Sequence, residues 1–145
     1  MKRIALTLAL VAIGGFAICA AFDKEAAVAM FMEKANNCLA EVGAAQSDID
    51  EILKKLPATT EEGKCLRACI MKKMGIMNAN GKLDPQAARV KAKEYTANDP
   101  DKMKIVDEIG AVCGALSVPD DHCAAAEVYG KCLKEQAKQH GIPLD

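Results

Sequence analysis

The sequence predicts an all-α fold: a single domain, a compact bundle of about six helices stapled by three disulfides. Three observations carry that reading. Apolar residues recur at three- and four-residue steps along most of the chain, the period of one helix face. The alternation expected of strands is almost absent. The N-terminus reads as a leader whose removal leaves six of seven cysteines in a short exported chain, the composition of a disulfide framework.

The leader comes first. Lys2 and Arg3 precede a run from Ile4 to Ala17 that is apolar apart from Thr7 and two glycines. Small residues gather at Ala17, Cys19, Ala20 and Ala21, ahead of the first charges at Asp23, Lys24 and Glu25. That order is a secretory signal peptide, and its core is too short for a comfortable membrane span. Residues 1–20 are assigned to the signal and 21–145 to the helical domain, with cleavage after Ala20 or Ala21. The cut removes Cys19 and, with Lys2 and Arg3, takes the formal net charge from −1 to −3. A faintly acidic chain without a basic block has no electrostatic reason to hold nucleic acid. About 125 residues remain, enough for one core.

The helices follow in order. Val28, Phe31, Ala35, Cys38 and Val42 share one face, and Gly43 is a plausible stop. Ser47 with Asp50 reads as a capping pair for a short helix through Ile49, Ile52 and Leu53, ended by Pro57. Thr59 with Glu62 repeats the device, and the third helix would bury Cys65, Leu66, Cys69, Ile70 and Met74 before Gly75. Asn80-Gly81 marks a turn. Asp84-Pro85 and Asp99-Pro100 each put a capping residue before a proline at the first helical position, where its missing N–H does no harm. The first opens a weakly patterned helix to about Tyr95; the second places Ile105, Ile109, Val112 and Leu116 on one face. Asp120 or Asp121 caps the last helix, which carries Ala125, Val128, Tyr129, Cys132, Leu133 and Gln136 and stops near His140-Gly141.

The intervals between Cys38, Cys65, Cys69, Cys113, Cys123 and Cys132 hold 26, 3, 43, 9 and 8 residues. Cys65 and Cys69 stand one helical turn apart on one side of the third helix. The geometry of a disulfide keeps them from pairing with each other on a regular helix, so each must reach a different element. Spacing alone leaves the rest of the connectivity open. Zinc ligation is disfavoured, since His122 and His140 make no second ligand pair with the cysteines. The loop after Gly75 is no calcium site either, because the bidentate acid would fall on Ala87.

That cysteine spacing, on helices after a signal peptide, resembles the insect odorant-binding proteins, specifically the six-cysteine pheromone-binding and general odorant-binding group. The stretch from Lys64 to Met77, followed by Asn80-Gly81-Lys82-Leu83, also reads like the third helix and loop of that family. The resemblance implies the pairs Cys38–Cys69, Cys65–Cys123 and Cys113–Cys132, in agreement with the divergence of Cys65 and Cys69. It further implies an apolar pocket within the bundle and a secreted carrier that solubilises odorants or pheromones for olfactory transport.

The residues themselves favour binding over catalysis. Two serines and two histidines remain in the mature chain, and Asp121-His122 are neighbours that point apart on a helix, so no enzyme is expected. Met30, Met32, Met71, Met74, Met77 and Met103 supply flexible, polarizable side chains, although each serves equally well as core filler. Phe31, Met71, Met74, Val112, Leu116, Tyr129, Leu133 and Ile142 are the expected ligand-facing residues. No cofactor or metal is expected. The expected partner is a small apolar volatile or lipid-like molecule; an olfactory receptor and a second copy of the chain stay open, while nucleic acid and stable membrane insertion are not expected. A carrier outside olfaction and, from another class, a secreted helical receptor ligand are the rival readings. The tail from Gly141 to Asp145 cannot continue the helix past Pro143. It either lies over the pocket mouth through Ile142 and Leu144, as the resemblance implies, or frays.

Overall fold

The computed structural model describes residues 24–143. The expected signal peptide with Cys19 and its expected cleavage positions, together with Leu144 and Asp145, lies outside the described residues. Six helices follow one another: α1 (Lys24–Val42), α2 (Gln46–Leu53), α3 (Glu61–Lys73), α4 (Pro85–Thr96), α5 (Pro100–Gly114) and α6 (His122–Gln139). Extended structure among the described residues is limited to an isolated antiparallel bridge between Met77 and Leu83.

Local chemistry sets most of the helix boundaries. Asp84, Asp99 and Asp121 cap α4, α5 and α6, with the Asp121 carboxylate accepting the Ala124 N–H at 2.7 Å. Two starts differ from the sequence reading, for one shared reason. Asp48, buried at 4% exposure, serves both of them. One of its oxygens accepts the N–H of Ala45, which becomes the N-cap of α2 in place of Ser47. The other accepts the hydroxyl of Thr60 at 2.7 Å, and that hydroxyl in turn accepts the Gly63 N–H at 2.8 Å. Thr60 therefore caps α3, while Thr59 bonds to Glu51 instead. A side chain at Gly63 would put its Cβ 2.8 Å from the Asp48 carboxylate, so the two helix starts meet in contact.

α3 is the centre of the packing, set against α1 and α2 on one side and α6 on the other. Leu66 and Ile70 join Ala35, Cys38 and Ile49 in the first core cluster. Ala68 joins Met77, Leu83, Cys113, Ala125, Ala126 and Tyr129 in the second. The bridges run the same way: Cys38–Cys69 ties α1 to α3, Cys65–Cys123 ties α3 to α6, and Cys113–Cys132 ties α5 to α6. These are the three pairs that the resemblance implies. Between α3 and α4, Asn78 Oδ1 accepts the N–H groups of Asn80 and Lys82, which accounts for the asparagines of this loop as turn-formers. Gly81 there has φ +72°, and a Cβ on it would fall 2.3 Å from the His122 ring, so only glycine lets the loop lie against the start of α6.

α5 is rotated from its expected orientation. Its inward stripe is Met103, Val106, Ile109, Gly110 and Cys113; of the expected face Ile109 stays on it, while Val112 and Leu116 do not. Two constraints fix this: the bridge from Cys113, and the approach of Pro85 to Gly110 and Gly114, where added Cβ atoms would lie 3.3 and 3.1 Å from the proline ring. Val112 then points outward at 48% exposure, and α5 ends at Gly114, before Leu116 can complete the stripe.

Two stability predictions follow from these contacts. Cys65→Ser detaches α6 from α3 and frees the Cys123 thiol; it should lower unfolding free energy by about 2–5 kcal/mol in urea titrations. Non-reducing peptide mapping of the wild type should recover the three pairs, and a Cys65–Cys69 peptide would contradict them. Asp48→Ala strands the Ala45 N–H and the Thr60 hydroxyl at once and should cost about 1–3 kcal/mol. Asp48→Asn, whose amide oxygen still accepts one of these donors, should cost less in the same titration.

Candidate ligand-binding site

Two cavities open between the helices. The larger has a volume of about 710 Å³ and lies between α3, α6 and the segment that follows α2. Ile70, Met71 and Met74 of α3 and Phe31 of α1 give it apolar walls, α6 contributes Val128 and Gly130, and Ile52, Leu56 and Pro57 close a further side. The smaller, about 420 Å³, lies between α1, the end of α3, α4 and α5, with Met30, Ala88, Ala92, Tyr95, Val106 and Leu133 among its walls. Met74 and Ile76 line both.

Charged side chains join the apolar ones in lining the larger cavity. Lys55, Arg67, Lys131 and Lys134 border it, against one carboxylate, Glu127. Several of these groups hold the wall together. Arg67 Nη2 donates to the Leu56 carbonyl at 2.6 Å, and Lys134 Nζ donates to the Lys55 carbonyl at 2.9 Å. The segment after α2 is thereby fastened to α3 and α6. Arg67 Nε lies 3.2 Å from Glu127 Oε1, a charge contact without hydrogen-bond alignment. Cys38, Glu41 and Cys69 also converge, but the two sulfurs are bonded to each other and have no thiolate to offer a metal.

The expected ligand-facing residues divide. Phe31, Met71 and Met74 line the larger cavity, and Met74 and Leu133 the smaller. Val112 and Leu116 face away from both, for the reason given by the rotation of α5. Tyr129 is 1% exposed and packs within the second core cluster rather than on a cavity wall. Ile142 is 39% exposed and lines neither cavity; its N–H donates to the Ala137 carbonyl as part of the turn that ends α6. Leu144 and Asp145, the remainder of the expected lid, lie outside the described residues.

The sequence reading missed the contribution of the α2–α3 segment and of the charged residues that line the cavity. Pro57 reads from the sequence only as a helix end, yet it and the neighbouring Leu56 serve as a wall. Glu127, Lys131 and Lys134 stand at four- and three-residue steps on α6, a shared face that was legible in the spacing.

Comparison with known proteins places this architecture. The chain is 52% identical to general odorant-binding protein 28a of Drosophila melanogaster over 142 residues, covering 98% of this chain and 99% of that one. The solved structure of the Drosophila melanogaster odorant-binding protein OBP28a matches with a TM-score of 0.71 at 56% identity, covering 83% of this chain and all of that one. A pheromone-binding protein of the cockroach Leucophaea maderae, solved in complex with the fluorescent reporter ANS, shares the fold at a TM-score of 0.60 and 17% identity, over 79% of this chain and 98% of that one. The PBP/GOBP family model matches residues 20–136. A matched model over most of the chain and a relative half identical along its whole length settle the point: the chain belongs to the PBP/GOBP family of odorant-binding proteins.

Proposed function

We propose that the mature chain is a secreted carrier that takes small hydrophobic molecules of the odorant class into the larger cavity and transports them through extracellular fluid. The observation that carries this reading is the 710 Å³ space walled by apolar side chains, within the range of about 300–1,000 Å³ typical of small-molecule sites. Removing an apolar ligand from water into such a space gains about 25 cal/mol per Å² buried. Family membership supports the transport role, and the start of the family match at residue 20 fits a leader that ends there. No described helix is long and apolar enough to cross a membrane.

The histidines fit a carrier better than an enzyme. His122 lies against Gly81 with its Nδ1 2.7 Å from Lys72 Nζ, and His140 caps α6 beside Glu108 at 3.7 Å. Neither lines either of the two cavities described.

The test is uptake of ANS by the purified mature protein, followed by displacement with neutral apolar competitors such as octanol. Met71→Glu puts a charge on the cavity wall and should weaken probe binding by about tenfold or more. Val112→Glu and Leu116→Glu, on the outside, should leave it within about twofold. No uptake by the wild type would favour a ligand that acts through its surface. The protein recovered from the medium of secreting cells should begin at Ala21 or Phe22; an intact Met1 would rule out cleavage.

A further inference from the structure

Met74 belongs to both cavities at once, and its setting separates what can move from what cannot. It is the C-cap of α3, and the chain around it is held by a closed set of backbone hydrogen bonds. Gly75 N–H donates to the Lys72 carbonyl at 3.1 Å, Ile76 N–H to the Met71 carbonyl at 2.9 Å, and Asp84 N–H to the Ile76 carbonyl at 2.8 Å. The first two form the Schellman arrangement that ends a helix, with Gly75 at φ +73° supplying its left-handed residue. Cys69, five residues earlier, fastens the same helix to α1. The backbone on which the partition stands is therefore fixed.

The side chains on it differ. Ile76, the other shared wall, is β-branched and stiff. Met74 is unbranched, with three rotatable bonds and a polarizable sulfur, and is only partly buried. Such a side chain changes rotamer without any movement of the helix. Met71 and Phe31 continue the wall on the larger side, and Met30 and Leu133 on the smaller, so both spaces that Met74 borders have apolar walls.

We propose that the two cavities form one compartmented site for elongated apolar molecules, with the Met74 side chain as its movable partition. A compact ligand occupies the larger compartment and leaves Met74 in place. A long linear chain displaces it and extends into the smaller compartment between α4 and α5. Met74 thus sets the ligand length that the carrier accepts. This inference rests on the carrier reading and adds a length selectivity to it.

The experiment compares octanol with tetradecanol as competitors for bound ANS, read as the ratio of their affinities. Met74→Ala removes the partition and should shift the affinity ratio toward tetradecanol by about threefold or more. Met74→Trp should close the passage and shift the affinity ratio against tetradecanol by about tenfold. Ala88→Phe, which fills the smaller compartment from α4, should shift the affinity ratio against tetradecanol and stands in if the tryptophan variant does not fold. Circular dichroism melting verifies the fold of each variant. An affinity ratio that stays at the wild-type value in Met74→Ala and in Ala88→Phe overturns the partition while leaving the carrier intact. Failure of the wild type to take up ANS or either alcohol overturns the carrier, and the partition with it.

Discussion

Everything in this molecule depends on α3 being held from both sides. Cys65 and Cys69 stand one turn apart, and their bonds run to α6 and to α1 respectively. The helix between them is not strongly apolar. It carries Lys64, Arg67, Lys72 and Lys73 among its thirteen residues, and alone it would bury little. Two crosslinks on one short segment let it act as the common wall of both core clusters. Leu66 and Ile70 then serve the cluster with α1 and α2, and Ala68 the one with α5 and α6.

Those crosslinks bear on how the chain tolerates empty space. Aromatic residues are scarce, 3% of the chain, and the fully buried positions include many alanines. Small residues at Ala68, Ala125, Ala126, Gly110 and Gly114 let backbones come close on one side of the bundle. Where longer side chains hold helices apart, apolar space stays unfilled and its lining forgoes dispersion contacts. A disulfide offsets part of that loss by restricting the unfolded chain, about 2–4 kcal/mol for each bridge. Core contacts then need not carry the whole stability, and the interior can keep room for another molecule.

The fold was largely legible in the sequence because its signals are local. A proline behind an aspartate, a glycine in the left-handed region and a three-residue cysteine gap each act within a turn or two of chain. What escaped needed tertiary information. The register of α5 is decided by Pro85 meeting Gly110 and Gly114, residues that an apolar-periodicity argument ignores. Its own pattern accommodates either face, and Val112 fell on the wrong one. Tyr129 has the same amphipathic look whether it meets a ligand or a core; the alanines packed around it, and not its own chemistry, make it core. The shift of the α2 and α3 caps by one or two positions came from a single buried carboxylate, Asp48, that satisfies donors from two elements separated by a loop. Phe31 stands two turns from Cys38 on one face of α1, whereas Met71 and Met74 lie on the side of α3 away from Cys65 and Cys69, so the cysteines alone do not mark them.

Rigidity and adaptability are divided between backbone and side chains in the cavity walls. The α2–α3 segment could have been a loose flap, yet the Leu56 and Lys55 carbonyls are held by Arg67 and Lys134. The end of α3 could have frayed, yet its final carbonyls are taken by Gly75 and Ile76. With these backbone groups occupied, a ligand gains nothing by competing for them, so selection falls to the shape of the side chains that face it. Branched and aromatic side chains at Ile70, Ile76 and Phe31 keep a fixed outline, while methionines at positions 30, 71 and 74 can yield to several. A wall built this way can discriminate by length and bulk without exposing a polar backbone to the ligand, and it can do so while the disulfide framework stays still.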